Sequence, residues 1–230
     1  MHAICQKNPP ASLVAYLNQP KIQSLGFDKA RKMYCDSEGR YYGGLLSKLK
    51  QMYYPYWERK RKNYRRRKGK VVARKASSAS EGKSVDKQLT EYVRSGKRPR
   101  SNMARAIIAY FEESAQQRIV AAQVPLYAMQ GTRVTQADLI VANADGSLVM
   151  IELKCGYNRT QKQGDLKSLP GVPCRQNEIW ELQRHYTHKG LVESGLPLIG
   201  SHILNVYKEG KDGITVKRRK VPKWALEKLK

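Results

Sequence analysis

Two apolar runs, Ala137 to Asn143 and Leu148 to Cys155, are separated only by Ala144, Asp145 and Gly146. Runs of this length rich in Val, Ile and Leu read as strands, and a small polar loop ending in glycine reads as a tight turn, so the segment is expected to be a β-hairpin. With Gly146 in the left-handed position of a three-residue loop, Asn143 faces Ser147 and the register is set. Counting back along both strands places Asp138 opposite Glu152. Alternation then sends Lys154 to the same face, one step along. A two-residue loop would shift the pairing by one and scatter the three groups.

Two carboxylates buried side by side are costly unless a cation sits between them. A divalent metal resolves this most simply. Mg²⁺ takes one or two carboxylates together with waters and substrate phosphate oxygens. Hard oxygen ligands argue against zinc, and no His/Cys set supports it. A lysine beside such a metal can orient a water and offset charge building on a phosphoryl group. The chain is also strongly basic, with 44 Lys and Arg against 19 Asp and Glu, a formal charge of +25 in 230 residues. Such a field favours a polyanion, most simply nucleic acid.

The four cysteines, Cys5, Cys35, Cys155 and Cys174, form no CxxC half-site. A reducing, intracellular compartment is therefore expected, without disulfides or a zinc knuckle. No apolar run approaches ~18 residues, so neither a signal core nor a membrane span is expected.

Three regions are expected. Residues 1–57 are mixed and read as short helices. Residues 58–84 form a basic, flexible linker: 11 of the 18 residues from Glu58 to Lys75 are Lys or Arg, and Ala76 to Ser84 is small and polar. The block includes Arg59, Lys60, Arg61, Lys62, Arg65, Arg66, Arg67 and Lys68, which suit phosphate contacts and equally suit a nuclear targeting signal or a solvated tail. Tyr53, Tyr54, Tyr56, Trp57 and Tyr64 beside it suit base stacking or a core. Residues 85–230 carry the clearest pattern, with a helix over Val85–Val93 and a second one capped by Ser101 or Asn102. In that second helix Ala104, Ile107, Ile108, Phe111, Ala115 and Ile119 recur at helical spacing. Strands follow over 119–127, 137–143 and 148–155, then a polar loop, a helix over Gln176–Glu193, a strand over Ser201–Tyr207, a further strand-like ITVKRR and a short terminal helix.

Asp138 followed by Glu152-Leu153-Lys154, on the second and third strands of a helix, three strands, helix, strand order, resembles the PD-(D/E)xK nuclease superfamily. The proline of the name is replaced by Ala137. The resemblance covers Asn102 to Tyr207. It implies a restriction-endonuclease-like α-β-β-β-α-β core, a mixed sheet flanked by helices, here with a basic N-terminal extension. It also implies an Mg²⁺-dependent deoxyribonuclease, Mn²⁺ substituting, that leaves 5′-phosphate ends. In it Asp138, Glu152 and the Leu153 carbonyl bind metal, and Lys154 orients the water. The helix NEIWELQRHYTHKGL looks like the glutamine helix of the lambda-exonuclease and RecB-like branch. Gln183 with Tyr186 is preferred there, although Gln176 with Trp180 keeps the usual spacing.

An acidic residue on the first helix often completes such a site, and Glu112, flanking the apolar face, is the candidate, with Glu113 opposite. Lys162, Lys167 and Arg175 are candidate phosphate contacts in or beside the loop after the motif. His185 and His188 read as helix surface. Two other readings stand beside the deoxyribonuclease: a non-catalytic nucleic-acid-binding or packaging protein, and an RNA endonuclease. Exonuclease and endonuclease action are not distinguished. The combination of a compact core and a basic arm has the style of a viral or mobile-element protein.

Overall fold

The computed structural model describes residues 3–4, 8–31, 33–54, 72–155, 165–209 and 213–229. Its centre is a six-stranded mixed sheet. In spatial order it consists of β1 (Ala3–Ile4), β5 (Arg118–Ala128), β6 (Arg133–Ala142), β7 (Leu148–Cys155), β10 (Leu198–Glu209) and β11 (Gly213–Arg218). Neighbours are antiparallel except for the parallel pair β7 and β10, whose connection carries a helix. A parallel pair needs such a crossover, whereas antiparallel neighbours close with short turns.

Both faces of the sheet are covered. On one lie α4 (Val72–Ser95) and α5 (Asn102–Ala109), with Val85, Leu89, Met103, Ile107 and Phe111 packed on Leu139, Val141, Val149, Ile151 and Leu153. On the other lie α1 (Ala11–Leu17), α3 (Leu45–Tyr53) and α6 (Gln176–Glu193), with Leu13, Leu45, Leu49, Ile179 and Leu182 packed on Val124, Leu126, Ile140 and Met150. This double covering is why β6 and β7 read as continuous apolar runs instead of alternating ones. α6 lies close on β5, because Gly190 leaves no side chain between them: a Cβ there would stand 2.5 Å from the Tyr127 carbonyl oxygen and 2.8 Å from Leu126 Cδ1.

Several expectations change. Ala76 to Ser84, read as a hinge, lies inside α4, which starts thirteen residues before Val85 and so carries helix through the small polar stretch. Alanine and the glutamate and lysine that follow are compatible with helix once the Val85, Leu89, Val93 stripe docks. The apolar repeat after Ser101 does not continue as one helix. Ser101 caps α5, its hydroxyl accepting from the Ala104 amide, but the helix gives way to a π-turn at Tyr110–Ser114, and Ile119 belongs to β5.

The N-terminal segment joins the main core instead of standing apart. β1 adds to the sheet, and the Tyr16 hydroxyl donates to the Pro125 carbonyl at 2.8 Å. Between α2 (Pro20–Gln23) and α3 it forms a small sheet of β2 (Gly26–Asp28), β3 (Met33–Cys35) and β4 (Tyr41–Tyr42). The polar loop after the motif contains a hairpin, β8 (Asp165–Leu166) with β9 (Leu169–Pro173), and the chain ends in α7 (Lys223–Lys228). Among the described residues no helix is long and apolar enough to cross a membrane, and Cys35, Cys155 and Cys174 are free thiols.

Candidate active site

The β6–β7 hairpin has the register its turn dictates. The Asn143 amide donates to the Ser147 carbonyl at 2.9 Å, Gly146 has φ +82°, and Asp145 accepts from the Ser147 amide. Pairing runs from Ala142↔Leu148 to Leu139↔Ile151 and stops there. Beyond that point β6 stays with β5 as far as Ala128↔Arg133, and β7 stays with β10 as far as Cys155↔Val206. The two strands therefore part, and Asp138 stands on one arm of the fork with Glu152 and Lys154 on the other.

Asp138 spans the fork. Its Oδ2 accepts from the Leu153 amide at 2.7 Å, so a side chain replaces the ladder bond that the parted strands no longer make. Glu152, 1% exposed, is ion-paired through Oε1 with Lys154, whose side chain is 13% exposed. Lys154 Nζ also lies 3.5 Å from Gln183 Oε1 and 5.6 Å from the centre of the Trp180 ring, both on α6. Gln176 is elsewhere, its Oε1 accepting from the Tyr54 hydroxyl at 3.4 Å.

Two residues not singled out in the sequence belong to this site. Asp86 on α4 interacts electrostatically with Asp138 and Lys154. Gln123 on β5 places Nε2 3.5 Å from Asp138 Oδ1 and holds a left-handed backbone, φ +55°, inside a strand. A non-glycine residue in that conformation stores about 1–3 kcal/mol, and such strain clusters at functional sites. Sequence offered no cue for Gln123. For Asp86 a cue existed: it adjoins Val85, the first residue of the buried stripe, and so flanks the face that meets the sheet.

Glu112 is not in the fork. It accepts from the Tyr92 hydroxyl at 2.6 Å and lines a cavity with Asn143, Ala144 and Gly146 at the hairpin tip. Five residues of strand, roughly 17 Å, separate that tip from Asp138. The π-turn that breaks α5 carries Glu112 there, so the helical wheel that placed it no longer applies. Tyr186 is also directed away, its hydroxyl 3.0 Å from that of Tyr53. His185 packs edge-on against Tyr186, and burial pulls its pKa down to about 4, leaving it neutral. Lys167 is exposed beside the β8–β9 turn and Arg175 precedes α6. Arg59, Lys60, Arg61, Lys62, Arg65, Arg66, Arg67, Lys68 and Lys162 lie outside the described residues.

The charge balance of the fork is uneven: among the described residues three carboxyl groups share one ammonium. Burial, then the neighbouring Asp138, pushes Glu152 up to about 8. Burial and Asp138 likewise raise Asp86 to about 7. Asp138 is raised by burial, against the pull of Lys154. Burial alone would lower Lys154, but Glu152 and Asp138 together hold it above its ordinary value, so it is a cation at neutral pH.

A hard divalent cation fits this donor set. Glu152 Oε2 is buried and, among the described residues, has no hydrogen-bond partner. No group of three or more His, Cys, Asp and Glu among the described residues forms a ready-made cage. Asp138 and Glu152 offer two carboxylates, which water and phosphate oxygens would complete in the manner of an Mg²⁺ site.

The same imbalance governs stability. Below the ordinary glutamate value of 4.5, Glu152 is protonated whether the chain is folded or not. From there to about 8 the unfolded chain ionises while the folded one keeps its proton, so stability falls as pH rises. Glu152→Gln keeps an acceptor for Lys154 and removes the titration. It is expected to flatten the decline of the thermal midpoint across that window in metal-free buffer, measured by thermal melts at several pH values. An unchanged slope would show that Glu152 ionises freely in the folded chain.

No family model, curated protein or solved structure matches the chain.

Proposed function

We propose that the fork is the active site of a metal-dependent nuclease of the PD-(D/E)xK type, acting on DNA. The observation that carries the reading is the meeting of Asp138, Glu152, Lys154 and Gln183 where β6 and β7 part. Support also comes from the element order around it, α5, β5, β6, β7, α6, β10, and from the overall charge of +25.

Asp138 and Glu152 would hold Mg²⁺ or Mn²⁺, with the Leu153 carbonyl as a further ligand. When bound, such a cation supplies an acidified water and neutralises charge on the phosphoryl oxygens. Lys154 is an ammonium and therefore a donor, not a base: it orients the attacking water and faces the charge that builds on the phosphate. Gln183 accepts from Lys154 and fixes its direction. Gln123 and the Leu153 amide fix Asp138 in the same way. Asp86 adds negative charge behind the pair and strengthens their hold on a cation.

The test is a cleavage assay on linear DNA, closed-circular DNA and RNA with Mg²⁺, Mn²⁺ or EDTA, comparing the wild type with Lys154→Ala. Metal-dependent cutting of DNA is expected, lost in EDTA and reduced at least about a hundredfold by the substitution. Survival of the circle alone would mark an exonuclease, and cutting of RNA alone would change the substrate. Binding without any cutting, equal in both proteins, would replace the nuclease with a nucleic-acid-binding role.

A further inference from the structure

Lys154, Asn205 and Lys217 stand side by side on three adjacent strands, because Asn205 is paired with Lys154 on β7 and with Lys217 on β11. Paired residues share a face of the sheet. Packing fixes which face this is. Leu204 and Val206, the chain neighbours of Asn205, and Val216, which precedes Lys217, pack into the core beneath α4 and α5. The row therefore points the other way, toward the side that carries Gln183.

Exposure increases outward along the row. Lys154 is nearly enclosed, Asn205 is partly buried, and Lys217 is open to solvent. Among the described residues the buried Oδ1 of Asn205 has no hydrogen-bond partner. An apolar residue in the middle of a sheet would leave a dry floor between the two lysines; an asparagine with an unsatisfied oxygen leaves a polar one. α6 is tied to the positions just before this row, through Arg184 to the Ser201 carbonyl at 3.4 Å and Arg219 to the Asn177 carbonyl at 3.0 Å.

We propose that this row is a phosphate track leading out of the fork, on which Lys217 holds a backbone phosphate neighbouring the one at Lys154. The proposal rests on the nuclease reading for the identity of the site at its inner end. Two strand spacings put the Lys217 Cα roughly 10 Å from that of Lys154. A lysine stem covers the remaining distance to a phosphate one or two nucleotides along the same strand. The ligand is thus a polynucleotide backbone entering over the β11 edge, and the contact carries no base information.

The experiment measures affinity for a short DNA duplex in EDTA across a salt series, for the full chain as wild type, Lys217→Ala, Lys217→Arg and Lys97→Ala. Lys97 is an exposed lysine in the turn after α4, among the helices on the opposite face of the sheet, and serves as the control. Lys217→Ala is expected to weaken binding about 3- to 10-fold at low salt and to lower the salt slope by about 0.9, with Lys217→Arg restoring both. If Lys217→Ala matches Lys97→Ala in affinity and slope, the track is refuted. Because binding is read without metal, failure of the wild type to cut any nucleic acid would refute the nuclease alone. Normal cutting combined with an unaltered Lys217→Ala would refute the track alone.

Discussion

Asp138→Asn is expected to lower the rate of metal-dependent DNA cleavage by at least about a thousandfold while leaving the thermal midpoint in EDTA unchanged or higher. The opposite signs follow from what the carboxylate does in each setting. For the fold, one of its oxygens accepts the Leu153 amide, and an asparagine oxygen can do the same. Its charge is a burden there, since burial raises its pKa and Glu152 lies beside it. In the proposed catalysis the charge would hold the cation, and a neutral amide is a poor ligand for Mg²⁺. Single-turnover cleavage at saturating Mg²⁺, alongside thermal melts of the same preparations, reads both effects. Equal losses of stability and activity would make Asp138 a structural residue and remove the main support for the site.

The largest stability effect is expected at Gly190→Ala. The added Cβ would lie 2.5 Å from the Tyr127 carbonyl oxygen and 3.3 Å from Ala128 Cα, and both are sheet backbone paired with Val134 and Arg133. Neither can retreat without breaking the β5–β6 ladder, so α6 must move instead. Overpacking of this kind costs about 1–3 kcal/mol, with backbone on the far side placing it at the upper end, which for a chain of this size lowers the midpoint by roughly 6–12 °C. Chemical denaturation of the two proteins measures it. Because α6 also carries Gln183 and Trp180, the shift is expected to weaken their approach to Lys154 and to reduce cleavage in the protein that remains folded. A midpoint within a degree or two of the wild type would mean that α6 slides along β5 at little cost.

Where local rules sufficed, the sequence was readable. The Ala144-Asp145-Gly146 turn set the hairpin register as far as Leu139 and Ile151, and alternation put Glu152 and Lys154 on one face; Asp138 lies beyond the last pair and joins them through the Leu153 amide instead of facing Glu152 across a ladder. Gln176 to Glu193 forms the helix its pattern indicates. What failed needed tertiary knowledge. The π-turn at Tyr110–Ser114 is invisible to a helical wheel, and it removes Glu112 from the site. Ala76 to Ser84 has linker composition, yet it continues the helix that docks through Val85, Leu89 and Val93. Asp86 enters the site from another layer, and no spacing within the motif points to it. The left-handed Gln123 is a strain that only the assembled sheet can impose.

The parting of β6 and β7 has one more consequence. The Leu153 amide is held by a carboxylate in place of a peptide carbonyl. Its proton and nitrogen resonances therefore respond to the charge on Asp138, while amides deeper in the hairpin do not. A single backbone signal in a ¹⁵N correlation spectrum then becomes an internal gauge of the site, expected to move as Asp138 titrates and, on the proposed function, again on addition of Mg²⁺.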